Sequence, residues 1–271
     1  ISIKHNENSV EFSHNGEPFT PMTLDCLFKQ VSSKTLEEKK LEFNEDEPVG
    51  QYGTGFITTH SFGKEIVIDG ALIKDGGYVL LENFIIDRHT ENWKELGQRI
   101  RLLKKEVSRL LKEGLIQKSP YPKTTFTYKT ITTSNKEHVI KAIDSLRNIL
   151  PYVLAINPRL KKVTVQEKSG EITVYKKNES SSEGKLHCTS ILVNEDEEVV
   201  YSLKTEDNKI TIILPFSNKM VAKDLSETLP RLYLYYPLVG TQDFGINYLI
   251  HSRHFQPNEP LDPIYLARHL I

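Results

Sequence analysis

The stretch "GQYGTGFITTH" (residues 50–60) carries glycines at 50, 53 and 55 and then runs into apolar residues and threonines. Such spacing suits anion binding by main-chain amides. A backbone without Cβ atoms can close on a phosphate, and a helix start just beyond it offers unpaired N–H groups. "FITTH", with Thr58 and Thr59, would be the first turn of that helix. A Walker A loop is excluded, because it needs a lysine after its last glycine and Phe56 stands there. A dinucleotide fingerprint is excluded too: its glycines come first, third and sixth between a strand and a helix. Here the order is reversed and a charged segment precedes it. A surface loop, where glycine serves turns, stays open.

Other residues with chemical potential are sparse. His251 and His254 stand at a metal-like spacing, but no cysteine or acid lies close by, so they read as non-metal. Cys26 and Cys188 are far apart and match neither a zinc spacing nor a disulfide framework. They read as reduced, buried thiols of an intracellular, cytoplasmic protein. Lys+Arg number 35 against Asp+Glu 36, a formal net charge of -1, which speaks against a non-specific nucleic-acid binder. At 38% hydrophobic and 26% charged residues, the 271-residue chain can bury a core. No run reaches the ~18 apolar residues of a membrane span.

The elements that must position these groups follow from pattern. Residues 1–13 alternate and break at "SHNGEPF", which predicts a hairpin and a turn. Thr20-Pro21 opens a helix through "MTLDCLFKQ". "VSSKTLEEKKLEFNEDEPV" (31–49) reads as a mobile polar loop. "KEIVIDGALIKDGGYVLLENFII" (64–86) predicts two strands around a turn at Asp75-Gly76-Gly77. Trp93, Leu96, Ile100, Leu103, Val107 and Leu110 follow helical spacing until Gly114. "TTFTY" (124–128) is strand-like. Val139, Ile143, Leu146 and Leu150 share one helical face that ends before Pro151. Strands then dominate: "KKVTVQE", "GEITVYKK", "LHCTSILVN", "EEVVYSL" and "KITIILPF", with "NESSSEGK" (178–185) as an exposed loop. The pattern predicts an α+β chain with a boundary between residues 1–155 and a β-rich 156–271.

The order of motifs is similar to that of a known family. "VEFSHNGEPF" (10–19) followed by "GQYGTGF" (50–56) resembles two nucleotide boxes of the GHKL ATPases, which include gyrase, the ninety-kilodalton heat-shock chaperone, histidine kinases and MutL. The longer series "GQYGTGFITTHSF", "FIIDR", "TTFTY" and "LYYPLVGTQDFGINYLIHSRHFQPNEP" resembles the sacsin-type and bacterial heat-shock-chaperone-like ATP-binding proteins. The likeness covers most of the chain. It implies a Bergerat-type α/β sandwich with helices on one face of a mixed sheet, over 1–155. A transducer-like or middle-like β region would follow over 156–271.

The resemblance also implies a ligand, ATP with Mg²⁺, and roles for particular residues. The family's adenine-reading acid corresponds to His14, followed by Asn15 and Gly16. A neutral imidazole could accept a hydrogen bond from the adenine amino group through one nitrogen. Gly50, Gln51, Tyr52, Gly53, Thr54, Gly55 and Phe56 match the phosphate side, and residues 32–49 match the family's lid. The family's threonine near the adenine is Thr124 or Thr125, between which the sequence does not choose. Arg253 is the candidate for reaching the γ-phosphate from downstream. The family's catalytic glutamate and Mg²⁺-holding asparagine belong to a helix before the first box. No such E-x-x-x-N helix occurs in this chain, and since "ISIKHN" lacks an initiator methionine, that helix is expected upstream of Ile1. The implied activity is nucleotide-dependent conformational change toward a protein client, with hydrolysis if that helix exists. Two alternatives stay open: a degenerate interaction scaffold, and the ATP switch of a nucleic-acid-processing factor.

Overall fold

The structure is a computed structural model that describes residues 1–29, 58–90, 92–118 and 120–255. Its strands are β1 (Ser2–His5), β2 (Ser9–His14), β3 (Glu65–Lys74), β4 (Gly77–Asp87), β5 (Thr124–Lys129), β6 (Lys162–Gln166), β7 (Ile172–Glu183), β8 (Leu186–Val193), β9 (Asp196–Lys204), β10 (Ile210–Leu214), β11 (Leu232–Tyr233) and β12 (Leu249–Ser252). Its helices are α1 (Pro21–Lys29), α2 (Trp93–Glu113) and α3 (Thr133–Ile156), with a 3₁₀ turn at Thr59–Ser61.

The hydrogen-bonded strand order is β11-β12-β10-β9-β8-β7-β6-β1-β2-β5-β3-β4. The expected layered sandwich, with helices on one face of a mixed sheet, is therefore corrected. The described residues form a mixed twelve-stranded sheet with three α-helices, 39% strand against 26% helix. The physical reason lies in how each segment satisfies its backbone and apolar surface. The β-branched segments pair edge to edge, which satisfies their main-chain groups by extending a sheet. The helices do not supply a covering layer. In α2 only Val107 is buried, while Trp93 stays 77% exposed and Leu102 64% exposed.

By compactness the chain divides into two units, one of Ile1–Lys141 with Val165–Glu171, the other of Ala142–Thr164 with Ile172–Ile271. In the first unit, β1 and β2 form the expected antiparallel hairpin, and β2 pairs with β5, β5 with β3 and β3 with β4. The β3–β4 connection is a two-residue turn in which Asp75 (φ 46) and Gly76 (φ 76) both adopt left-handed backbone, the geometry that matches strand twist. The start of α1 is held by a reciprocal box. Thr20 Oγ1 accepts the Thr23 amide at 3.0 Å, and Thr23 Oγ1 accepts the Thr20 amide at 2.8 Å. Leu24 and Phe28 of α1 are buried, and Phe28 stacks on Phe84 of β4 at 5.7 Å. The Arg88 guanidinium donates to the carbonyls of Leu27 and Phe28, closing the helix's last turn. Asp25 accepts from Lys29 at 2.5 Å and from Lys104 of α2 at 3.1 Å, tying the two helices.

In the second unit β7, β8, β9, β10 and β12 are successive antiparallel neighbours, and β11 joins β12 in parallel. Two expectations change here. The serine-rich segment read as a loop is the far half of β7, paired through Ser180↔Thr189, Ser181↔Cys188 and Ser182↔His187. The helix expected to end before Pro151 continues to Ile156, because Leu150 and Leu154 on either side are both buried. The closing segment is braced by Arg231, itself buried. It donates from Nε to the Ile246 carbonyl at 2.8 Å, and from Nη1 to Ser226 at 3.1 Å and Leu229 at 2.5 Å. Among the described residues no helix is long and apolar enough to cross a membrane. Neither Cys26 nor Cys188 is in a disulfide, and both are half-buried rather than buried.

Candidate functional site

The end of β2 and the start of β5, with the middle of β3 alongside, bring most of the described candidate residues together. In the β2–β5 register His14 lies opposite Thr124, Ser13 opposite Thr125 and Phe12 opposite Phe126. Side chains alternate between faces along a strand, so His14, Thr124, Phe12 and Phe126 share one face while Ser13 and Thr125 share the other. Thr124, 1% exposed, stands beside His14. Thr125 faces away, with its hydroxyl 2.9 Å from that of Ser13 and its backbone opposite Asp69 of β3.

Aromatic rings wall the His14 face. The His14 ring lies 6.1 Å from Phe126 at an interplanar angle of 28°, and 6.0 Å from Phe12. Phe19 meets Phe126 edge-on at 6.0 Å. Its place is fixed by the backbone: the Phe19 amide donates to the Ala71 carbonyl at 2.9 Å and its carbonyl accepts from Ile73 at 2.8 Å. On β3, Gly70 leaves the wall thin. A Cβ there would sit 3.2 Å from Thr124 Oγ1 and 3.5 Å from Thr124 Cβ. Phe19, Gly70 and Phe126 were not singled out from sequence. A glycine inside the strand-like "VIDGALI" was the available signal, since such a glycine marks a bulge or a close approach, and β3 does shift register against β4 between Ile68 and Gly70.

The hydrogen bonding of His14 revises its expected role. Its Nδ1 accepts the Gly16 amide at 3.1 Å. Burial holds its pKa below the ordinary histidine range, so the ring is neutral at pH 7. A neutral imidazole that accepts at Nδ1 carries its proton on Nε2. His14 therefore offers a donor to a ligand, not the acceptor expected for an adenine amino group. Gly16 belongs to this arrangement, since a Cβ at that position would lie 3.1 Å from Nδ1. Asn15 and Gly16 are exposed.

Gly50, Gln51, Tyr52, Gly53, Thr54, Gly55 and Phe56 lie outside the described residues, as does the segment read as a lid. The description resumes at Thr58, which has helical backbone and leads into a 3₁₀ turn, Thr59–Ser61; the earlier part of "FITTH" lies outside the described residues. That turn is firmly seated. The Ser61 carbonyl accepts from Asn135 Nδ2 at 2.8 Å, Phe62 meets Tyr128 edge-on at 5.9 Å, and a Cβ at Gly63 would fall 2.3 Å from the Lys129 carbonyl oxygen.

Arg253 belongs to the second unit, where its guanidinium carbon lies 5.6 Å over the Tyr235 ring, a cation–π arrangement. His251 is buried beside it, with Nδ1 3.1 Å from the Tyr233 carbonyl and its ring 4.6 Å from that of Tyr235. Burial, offset in part by that carbonyl and reinforced by Arg253 and Lys204, pushes its pKa down to about 4. Among the described residues no three His, Cys, Asp or Glu side chains gather as a metal site. No family model matches the chain, and no curated protein matches it.

Proposed function

We propose that the chain binds an adenine nucleotide, ATP with Mg²⁺, and that the base lies against the end of β2, β5 and β3. One observation carries the reading. His14 and Thr124, drawn from two motifs far apart in sequence, are registered neighbours on one face. The groups present suit a purine. Phe126 and Phe12 offer aromatic surface, and Gly16, without a Cβ, lets its amide reach His14 Nδ1 and leave Nε2 as the donor. His14 Nε2–H can donate to a ring nitrogen, and the Thr124 hydroxyl can donate or accept.

The donor at His14 gives the site a preference. Adenine presents an acceptor at N1, whereas guanine carries a proton there. A donor facing a donor leaves both unpaired, a penalty of about 1–3 kcal/mol, or about 10- to 100-fold in affinity. The triphosphate would fall to the amides of Gly50, Gly53 and Gly55. Bound Mg²⁺ would supply charge neutralisation at the phosphates. The reading keeps the ligand and the motif order of the GHKL ATPases and gives up their layered sandwich. Coupling of nucleotide state to a protein partner is part of the proposal, as is hydrolysis when a catalytic helix is supplied from outside this stretch.

Binding without turnover is the second reading, favoured by the imidazole donor that stands where the family places an acid. Titration calorimetry with ATP and Mg²⁺ tests both. The expected result is saturable heat from the wild type and none from Gly53→Val. Absence of saturable heat from the wild type overturns nucleotide binding, and phosphate release from the bound state overturns the second reading.

A further inference from the structure

β4 stands last in the hydrogen-bonded strand order, so one of its edges has no partner strand. The chain itself covers the start of that edge. The Tyr78 amide donates to the Gln117 carbonyl at 3.0 Å, and the Tyr78 carbonyl accepts from the Gln117 amide at 2.7 Å. Main-chain groups alternate sides along an antiparallel strand, so the amide and carbonyl of Leu80 point the same way as those of Tyr78. At the other end the Arg88 amide donates to the Lys64 carbonyl at 3.0 Å, toward the β3 side. The same alternation turns the amide and carbonyl of Ile85 away from β3. Between the two stretches lies the register shift at Asn83 (φ 49), whose amide donates to the Asp69 carboxylate at 2.8 Å. Among the described residues nothing meets the main-chain groups of Leu80 or Ile85 from the open side. A cavity of about 360 Å³ lies there. Leu80 and the consecutive residues 82–85 line it, and successive strand side chains point to opposite faces, so the cavity meets the edge of β4 and not one face. Its far wall is α2, through Leu103 and Leu110. Arg109, at the same wall, is neutralised by Glu106, to which its Nε donates at 3.0 Å. That leaves Glu82, exposed and without an ion-pair partner among the described residues, as the net charge of the groove.

We propose that the edge of β4 and α2 form a docking groove for an extended, basic segment of a partner protein. The segment pairs as an added strand with Leu80 and Ile85, sets an apolar side chain into the cavity and places a lysine or arginine beside Glu82. Each requirement comes from a different feature. Unpaired amides and carbonyls along an edge are answered by another extended backbone. The aliphatic lining of Leu80, Leu103 and Leu110, with Ile85 48% exposed, is answered by an apolar side chain. The unpaired carboxylate of Glu82 is answered by a cation. A second copy of this chain fits less well, because its β4 would bring another Glu82 to a groove that is already acidic.

Fluorescence anisotropy with the full chain and a labelled peptide, Thr-Val-Lys-Val-Lys-Val-Thr, tests this. Two further probes accompany it, one with alternate amides N-methylated and one with glutamate in place of each lysine. The lysine probe should bind saturably. Methylation removes main-chain donors and should weaken binding at least about 10-fold. The glutamate probe should bind about 3-fold more weakly than the lysine probe. Ile85→Pro removes an amide that takes no part in pairing with β3, so it should abolish binding at little cost in melting temperature. Glu82→Lys, at an exposed position, should reverse the preference between the lysine and glutamate probes, and it keeps the test decisive if the proline variant fails to fold. No saturable binding of the lysine probe, equal binding of the methylated probe, or a charge preference that Glu82→Lys leaves unchanged overturns the proposal. A dimer in sedimentation that the probe dissociates overturns it too, since a second copy would then be the occupant. None of these outcomes bears on ATP binding, which is read from different residues and a different assay.

Discussion

The buried imidazole of His251 makes the stability of this protein depend on pH in a window that can be worked out. In the folded chain its pKa falls from 6.5 to about 4. Between those values the unfolded chain binds a proton that the folded chain does not, so stability rises with pH across the window. The contribution is fully present above 6.5 and is lost as pH falls toward 4. At ~1.4 kcal/mol per pH unit, the loss is about 3 kcal/mol. A side chain only 7% exposed keeps most of that penalty, because protonation would place a charge among Tyr235, Arg253 and Lys204. The informative perturbation is His251→Asn, which can keep a polar atom near Nδ1 and the Tyr233 carbonyl but has no proton to gain. Urea unfolding at pH 7 and at pH 4, followed by circular dichroism, gives the comparison. Carboxylates, His5, His14 and His60 titrate in both proteins and cancel in the difference. The wild type should lose about 3 kcal/mol more than the variant on acidification. Parallel pH dependences for the two proteins would refute the reasoning.

Three further outcomes follow. Gly63→Ala should lower stability by roughly 2–4 kcal/mol, read as a fall in melting temperature, because its Cβ would meet the Lys129 carbonyl oxygen at 2.3 Å and backbone cannot swing aside. Thr124→Val should weaken ATP binding about 10-fold in calorimetry, while Thr125→Val should leave it intact and cost about 1 kcal/mol of stability through the lost Ser13 bond. Competition by GTP against bound ATP should require about 10- to 100-fold higher concentration, and replacing His14 with alanine should abolish the difference.

Much of the local structure was legible because its signals are short-range. Asp75-Gly76 supplies the two left-handed residues that a tight hairpin needs, and Thr20 with Thr23 caps α1 through its own first turn. The failures share a different cause, since tertiary pairing decided them. Asn178–Glu183 has the composition of a loop, yet the pairing of Ser180, Ser181 and Ser182 with Thr189, Cys188 and His187 holds it as strand. Pro151 should end a helix on propensity, and the burial of Leu150 and Leu154 outweighs it. The apolar stripe of α2 was read correctly as helical, but periodicity does not say that Trp93 would stay exposed. The single strand order across twelve strands was not legible at all, because no local pattern encodes which edge a strand joins. At the candidate site the motif positions were visible in sequence. The face that Thr124 shares with His14 depends on register, and the proton on His14 Nε2 depends on one amide, that of Gly16.

Photolabelling with 8-azido-ATP addresses the base site itself, since the azide sits on the purine and marks what lies beside it. Adducts should map to residues 12–19 of the β2 end and to 124–126 of β5, should disappear with excess unlabelled ATP, and should be lost in Gly53→Val. Adducts confined to other strands, or labelling that excess ATP leaves untouched, would contradict nucleotide binding at His14 and Thr124.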